Sequence, residues 1–253
     1  TRLFTDEELE QQLKTLKGYR DIADKYGAKF LVTYGPDKST IYPEYAPAWL
    51  HRVGAASNLG QVIGYTQAQS NVAILDLRPV LEDAKSAGLV YLRSNSHWNN
   101  VGAYAAYHAM ADYFVRWMPN YRPVQPDDLI FETRSRQEND LEAEIDIDYF
   151  KAAPIEDARP RVRHARKVAD DLSSLGVDAQ GTITENDDPS LPKLVIFHDS
   201  FGWGLAPFLS ESFSRVVFVR KPTYSEEVIA AERPDCVVFL RVERFLTPVK
   251  ATQ

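Results

Sequence analysis

The sequence predicts an α/β fold with a mainly parallel central sheet, on three observations. Short, continuous apolar runs rich in β-branched residues recur along the chain. Stretches of helical period separate them. The runs show no apolar–polar alternation, which is the pattern of strands covered on both faces rather than one.

The elements follow in order. Thr5 and Glu8 stand at capping-box spacing, where hydroxyl and carboxylate satisfy free amides of a first helical turn. Leu9, Leu13, Leu16, Ile22, Ala23 and Tyr26 continue at approximately helical spacing, and Gly27 suits the helix end. Residues 29–34 (KFLVTY) read as a buried strand, broken by Gly35-Pro36-Asp37. Residues 72–77 (VAILDL) read as a strand, and 79–87 as a short helix with proline at its start. Residues 89–93 (LVYLR) read as another strand, and 101–118 as a long helix rich in alanine and aromatics. Later come the strand 194–197, a helix near 205–213, the strand 216–219, a helix near 225–231 and the strand 236–240 (CVVFL).

Residues 119–192 interrupt this rhythm with seven prolines, the acidic stretch 138–148 and the basic cluster 159–167. They read as an irregular insertion in one domain spanning 1–253, not as a second domain. Within it, the short strand 181–184 is expected to pair in a hairpin with an earlier piece.

Composition removes several classes of function. The 253 residues carry 29 Lys and Arg against 36 Asp and Glu, a formal charge of −7. That is the wrong sign for a general nucleic-acid binder, which displaces counterions with a basic surface. Twelve Phe, 13 Tyr and 4 Trp supply a core and argue against intrinsic disorder. A single cysteine, Cys236, excludes an internal disulfide and a cysteine-based zinc site. The spacings of the histidines and acidic runs fit no metal motif, so no metal is expected. Gly202-Trp203-Gly204 comes nearest to a phosphate loop but lacks its third glycine, so no nucleotide cofactor is expected either. No apolar run approaches the ~20 residues that span a bilayer. The opening TRLFTDEE has neither an initiator Met nor a signal peptide, as in a trimmed chain that has lost an export signal or anchor.

Two segments carry chemistry. In VIFHDSF (195–201) a buried strand ends, and Asp199-Ser200 falls in the turn before a helix. Ligand sites gather at that carboxyl edge of a parallel sheet. A serine there can act as a nucleophile, and its amide at a helix N-terminus can stabilise an oxyanion. The plainer reading is a helix cap. In RSNSHWNNVG (93–102) the strand expected at 89–93 precedes a long helix, which carries His97 to the same edge as a general base for Ser200. Of the remaining histidines, His51 and His164 lie in polar or irregular segments. His108 lies mid-helix, where packing is expected, and His198 lines the site or is turned away by strand alternation.

Together these segments resemble the SGNH-hydrolase-like domain of the bacterial alginate O-acetyltransferases, the AlgJ/AlgX-like family. Pro36-Asp37-Lys38 with Ile41-Tyr42-Pro43-Glu44 resembles its P-x-K…Y-P-E stretch. Residues 94–99 with Gly102-Ala103 resemble T-D-S/T-H-W-N…G-A, and Asn139-Asp140-Leu141 stands where G-D-L is frequent. His198-Asp199-Ser200-Phe201 resembles the G-D-S nucleophile turn, and Val242-Glu243-Arg244-Phe245-Leu246 the closing V-E-R-aromatic-L. The histidine motif precedes the serine, the reverse of ordinary SGNH esterases and the order of this family.

The resemblance implies a three-layer sandwich and acyl transfer. Ser200 would take an acetyl group, relayed by a membrane-bound acyltransferase, and pass it to a polysaccharide hydroxyl. His97 would be the base, the Ser200 amide would form part of the oxyanion hole, and Asn99 or Arg244 would contribute side chains. Lys38 would meet an anionic sugar or acyl oxygen, or else stand solvated. The setting would be periplasmic or otherwise extracytoplasmic, with an N-terminal anchor absent from this chain.

One position departs from the family. An aspartate is expected two residues before the histidine, and the sequence has Asn95. An amide can accept the imidazole Nδ1–H bond but lacks charge, and by donating instead it would favour the wrong tautomer. Three readings stay open: an engineered inactivation, a natural dyad-type enzyme, or a catalytically silent relative. Asp199, adjacent to the nucleophile, is a candidate to compensate. The rival activities are an acetylesterase and a polysaccharide-binding subunit whose Trp49, Trp98 or Trp203 stack on sugars. Lys38, Arg93, Arg241 and Arg244 are candidates for a basic rim within the negative surface.

Overall fold

The computed structural model describes residues 2–49, 54, 56–93, 95–135, 154–220 and 224–248. In chain order the strands are β1 (Lys29–Gly35), β2 (Ile74–Asp76), β3 (Leu129–Ser135), β4 (Pro154–Pro160), β5 (Ala165–Asp171), β6 (Gln180–Asn186), β7 (Lys193–His198), β8 (Arg215–Arg220) and β9 (Cys236–Val242). The α-helices are α1 (Asp6–Lys25), α2 (Lys38–Ile41), α3 (Asn58–Gln69), α4 (Arg78–Ala84), α5 (Asn100–Trp117), α6 (Gly202–Ser212) and α7 (Glu226–Glu232).

Seven strands form one sheet in the order β2-β1-β9-β7-β8-β6-β5. The first five are parallel, and β6 and β5 are added antiparallel at one edge. Because side chains alternate along a strand, each central strand supplies two cores. Leu194 and Ile196 of β7, with Val238 and Leu240 of β9, join α4, α5 and α6 on one face. Val195 and Phe197, with Val237 and Phe239, join α1, α3 and α7 on the other. The result is the expected three-layer α/β sandwich.

Most elements stand within a residue or two of their expected places. The capping box at α1 is present, with the Thr5 hydroxyl accepting from the Glu8 amide and the Glu8 carboxylate accepting from the Thr5 amide. Three readings change. Residues 89–93 are not a strand of the sheet: Tyr91 forms an isolated bridge with Trp98, the Leu92 amide donates to the His97 carbonyl, and the Asn99 amide donates to Val90. The segment folds back on its own continuation instead of pairing with β1 or β9. Helix α3 has no counterpart among the expected elements, although Ser57 caps it and Leu59, Val62, Ile63 and Thr66 are buried at helical spacing. Finally, the insertion is less irregular than expected. Its described part holds the β3–β4 hairpin, which packs on α5 and α6, and the expected β5–β6 hairpin, which extends the main sheet.

The parallel strands end together, with Gly35 opposite Val242 and His198 opposite Leu240. The turns after β1, β7 and β9 therefore converge at one edge. Among the described residues no helix is long and apolar enough to cross a membrane.

Candidate active site

Ser200 stands in the turn between β7 and α6, half-buried, at the convergent edge. The turn is held by its neighbour. Asp199 accepts from the Phe201 amide on Oδ1 at 3.0 Å and from the Val242 amide on Oδ2 at 2.6 Å. The carboxylate thus clamps the nucleophile turn to the end of β9. Both oxygens are turned to amides, so Asp199 does not stand behind His97. Nor does it cap α6, whose first residue follows Phe201 without a side-chain cap.

His97 Nε2 lies 2.7 Å from Ser200 Oγ, and His97 Nδ1 lies 2.7 Å from Asn95 Oδ1. The same Asn95 oxygen accepts from the His97 backbone amide at 2.9 Å. A backbone N–H can only donate, so it selects the oxygen end of the carboxamide. Nδ1 then carries the proton, and Nε2 is free to accept from the serine hydroxyl. Asn95 therefore sets the productive tautomer without supplying charge.

What delivers His97 is a brace of distant residues, not a strand. The Lys38 ammonium donates to the carbonyls of Leu92 at 2.5 Å, Arg93 at 2.6 Å and Asn95 at 3.3 Å. Tyr42 Oη accepts from the Val90 amide, and Tyr91 Oη donates to the Pro36 carbonyl. Trp98, 4% exposed, donates from Nε1 to the Phe201 carbonyl and so ties the histidine loop to the nucleophile turn. Two glycines permit the approach: a Cβ on Gly102 would sit 2.2 Å from the Val90 oxygen, and one on Gly204 2.5 Å from Trp98 Nε1.

Several expected contacts are therefore reassigned. Lys38 binds the histidine loop, where its ammonium meets three backbone carbonyls. Asn99 caps α5, with Oδ1 accepting from the Gly102 amide and one N–H of Nδ2 donating to the Leu89 carbonyl, and it borders the cleft over Ser200 with its second N–H still to be placed. Arg244 lies beside the site, but its guanidinium donates to Asp37 Oδ1 at 2.9 Å, reaches Ser96 Oγ at 3.5 Å and sits over the Phe201 ring. Burial raises the Asp37 carboxyl above the usual aspartate range, against the pull of Arg244. Glu243 completes the brace by accepting from the Asp37 amide and the Thr40 hydroxyl. Arg93 is exposed, and Arg241 sits over Phe245.

His198 is fully buried and turned from the serine. Its Nδ1 donates to the Asp199 carbonyl, while Nε2 has no partner among the described residues and the ring packs against Trp203 and Phe218. Burial pushes its pKa down to about 4. His108 is exposed rather than packed, and His164 is exposed; His51, Ser94 and Asn139-Asp140-Leu141 lie outside the described residues. Trp98 is too buried to meet a sugar, whereas Trp203 is 37% and Trp49 77% exposed.

A cleft opens over Ser200 and His97, walled by Trp203, Asn100 and Asp157. Asp157 escapes sequence reasoning because it arrives on β4 from the insertion; it is 7% exposed and accepts from Nδ2 of the Asn100 side chain. The Ser200 amide has no protein acceptor among the described residues and so remains available to an oxyanion. Among the same residues, no cluster of three or more His, Cys, Asp or Glu can hold a metal.

The geometry has relatives. The family model for the SGNH hydrolase-like domain of the acetyltransferase AlgX matches residues 3–221. A probable alginate O-acetylase AlgJ of Pseudomonas putida is 32% identical over 124 residues, which cover 44% of this chain and 31% of that protein. The chain thus matches about a third of that relative's length. Among solved structures, Bacillus cereus PatB1 superposes with TM-score 0.73 at 14% identity, over 96% of this chain and 92% of that one. The O-acetyltransferase domain of Pseudomonas putida AlgJ superposes with TM-score 0.59 at 20% identity, over 98% of this chain and 87% of that one. These structural likenesses concern the fold.

Proposed function

The chain belongs to the family of the AlgX SGNH hydrolase-like acetyltransferase domain, and from that membership we propose that it is a serine-dependent O-acetyltransferase acting on a polysaccharide. The observation that carries the proposal is the unbroken chain from Ser200 Oγ through the His97 ring to Asn95 Oδ1.

The steps balance. Ser200 Oγ attacks the carbonyl carbon of a bound acetyl ester while His97 Nε2 takes the hydroxyl proton. The oxyanion is met by the Ser200 amide. Collapse breaks the bond to the leaving oxygen, which recovers the proton from Nε2, and acetyl-serine remains. A sugar hydroxyl then gives its proton to Nε2 and attacks the same carbonyl, which returns the serine and yields the acetylated glycan. Water in place of the sugar gives acetate, the esterase outcome. A membrane-bound acyltransferase as the source of acetyl groups, and action outside the cytoplasm, belong to the same proposal. The relatives are probable alginate O-acetylases, which supports a glycan acceptor.

The test incubates an oligosaccharide with an activated acetyl ester and follows the products by mass spectrometry. Acetylated sugar supports transfer, and free acetate alone supports hydrolysis. Ser200→Ala is expected to lower either product at least a thousandfold, because the amide and the cleft alone supply the remainder. Unchanged acetylation by a folded Ser200→Ala protein would overturn the reading.

A further inference from the structure

His198 takes no part in the proton transfers, yet it touches the nucleophile turn and the start of α6 at three points. Its Nδ1 lies 2.5 Å from the Asp199 carbonyl oxygen. A carbonyl can only accept, so Nδ1 carries the proton and the ring donates. The same carbonyl accepts from the Gly202 amide at 3.1 Å. Gly202 lies against the ring, where a Cβ would sit 2.2 Å from His198 Cγ. Trp203 meets it edge to face, with ring centroids 4.7 Å apart. The G-D-S turn that this segment resembles has glycine at the position of His198, so the side chain is this chain's own addition.

The planarity of the next peptide makes this donor matter. The Asp199 carbonyl and the Ser200 N–H belong to one trans peptide unit and point in opposite directions, so whatever fixes the carbonyl also aims the N–H. The Asp199 carboxylate does not fix it, because its oxygens take the Phe201 and Val242 amides. The Gly202 amide alone would let the unit swing about one hydrogen bond at a helix start, where ends fray. The imidazole adds a second donor from a rigid base: His198 is the last residue of β7 and is fully buried between Trp203 and Phe218. Its Nε2 has no partner among the described residues. An apolar ring would pack there without that orphaned atom, so packing alone does not explain a histidine.

We propose that His198 is a positioning residue of the oxyanion site. By donating from Nδ1 to the Asp199 carbonyl it sets the peptide plane whose opposite end, the Ser200 N–H, meets the oxyanion. It touches neither the substrate nor the reacting atoms. The inference rests on the acyl-transfer reading for its purpose, although the orientation of the peptide can be measured without turnover.

Two variants separate the donor from the volume of the ring. His198→Phe keeps an aromatic ring in the apolar layer and removes the donor, whereas His198→Asn keeps a donor and removes the ring. On a small acetyl ester, His198→Phe is expected to lower kcat about tenfold or more while KM stays within about twofold. His198→Asn is expected to hold kcat within about threefold, although the lost volume lowers its melting temperature. The Ser200 amide resonance in nitrogen–proton NMR is expected to follow the same order, displaced in His198→Phe and near its natural place in His198→Asn. A role in packing alone predicts the reverse order, with His198→Asn the poorer enzyme, and that result overturns the proposal. So does a His198→Phe protein with natural kcat and a natural Ser200 resonance. If His198→Phe does not fold, His198→Leu replaces it as a variant with bulk and no donor. A natural protein that turns over no acetyl ester would sink the acyl-transfer reading, and the Ser200 resonance would still decide whether His198 anchors the peptide.

Discussion

At position 95 the difference between an amide and a carboxylate separates two effects that a catalytic aspartate combines. Asn95 retains the orienting effect, since its oxygen is held toward His97 by an obligatory backbone donor and keeps the proton on Nδ1. It lacks the charge that would stabilise the imidazolium formed when Ser200 gives up its proton. Asn95→Asp is accordingly expected to raise turnover of a small acetyl ester tenfold or more. The corresponding change in a serine protease, a different protein, is worth about 10⁴, part of which comes from the tautomer this asparagine already sets. Initial rates on the purified pair of proteins decide it, and equal rates with intact folding would remove charge from the account. Of the three readings of Asn95, a dyad-type enzyme is the one that uses the intact hydrogen-bond chain from Ser200 to His97, and the rates of this pair of proteins test it.

At the scale of elements, the histidine is delivered by a loop that carries no strand. Its carbonyls would be poorly satisfied without the Lys38 ammonium, which reaches it from α2, more than fifty residues earlier in the chain. Lys38→Met is therefore expected to lower kcat about tenfold or more, through a misplaced His97. It should leave KM for carboxylated and neutral acceptors in unchanged ratio. A selective rise in KM for the carboxylated acceptor would instead return Lys38 to substrate binding. The interchange of residues 89–93 from strand to fold-back belongs here too. The run LVYLR has strand composition, but Val90 and Tyr91 are buried by packing and their polar groups are taken up by Tyr42, Asn99 and Pro36. His97 still reaches the carboxyl edge, by a different route.

For the whole molecule, the buried His198 makes stability depend on pH. Its pKa lies at about 4 against an ordinary 6.5, because protonating Nε2 would place an unpartnered charge between Trp203 and Phe218. Above pH 6.5 the ring is neutral in both states. As pH falls from 6.5 toward about 4, the unfolded chain takes up a proton that the folded chain refuses, and stability is lost. The loss approaches about 3 kcal/mol and levels off below the folded pKa. Urea midpoints across that range should therefore fall more steeply for the natural chain than for His198→Asn, whose amide can still donate to the Asp199 carbonyl. Parallel slopes would show that the ring does not govern acid sensitivity. The same buried layer explains why the strand's last side chain belongs to the core while the next two residues build the site.

Much of the molecule was legible from residues close in sequence. A capping box needs residues three apart, a helix face needs a period of 3.6, and a doubly covered strand needs only a short apolar run. The class of fold, the end of β7 at the Asp199-Ser200 turn and the pairing of His97 with Ser200 all followed from such patterns and from the family's motif order. Helix α3 does not show in the sequence, because its glycines and glutamines dilute a face of Leu59, Val62, Ile63 and Thr66. The employment of the polar side chains, by contrast, is settled by the packed fold. Asp199 serves the Phe201 and Val242 amides and not His97, Lys38 serves three carbonyls of the histidine loop, and Asn99 caps its own helix. Asp157 comes to the cleft on β4, a strand of the insertion that no motif marks. Chain period places a hydrophobic residue because the whole apolar layer is one partner. A charged or amide group is defined by one or two particular partners, and the sheet register brings those from far along the chain.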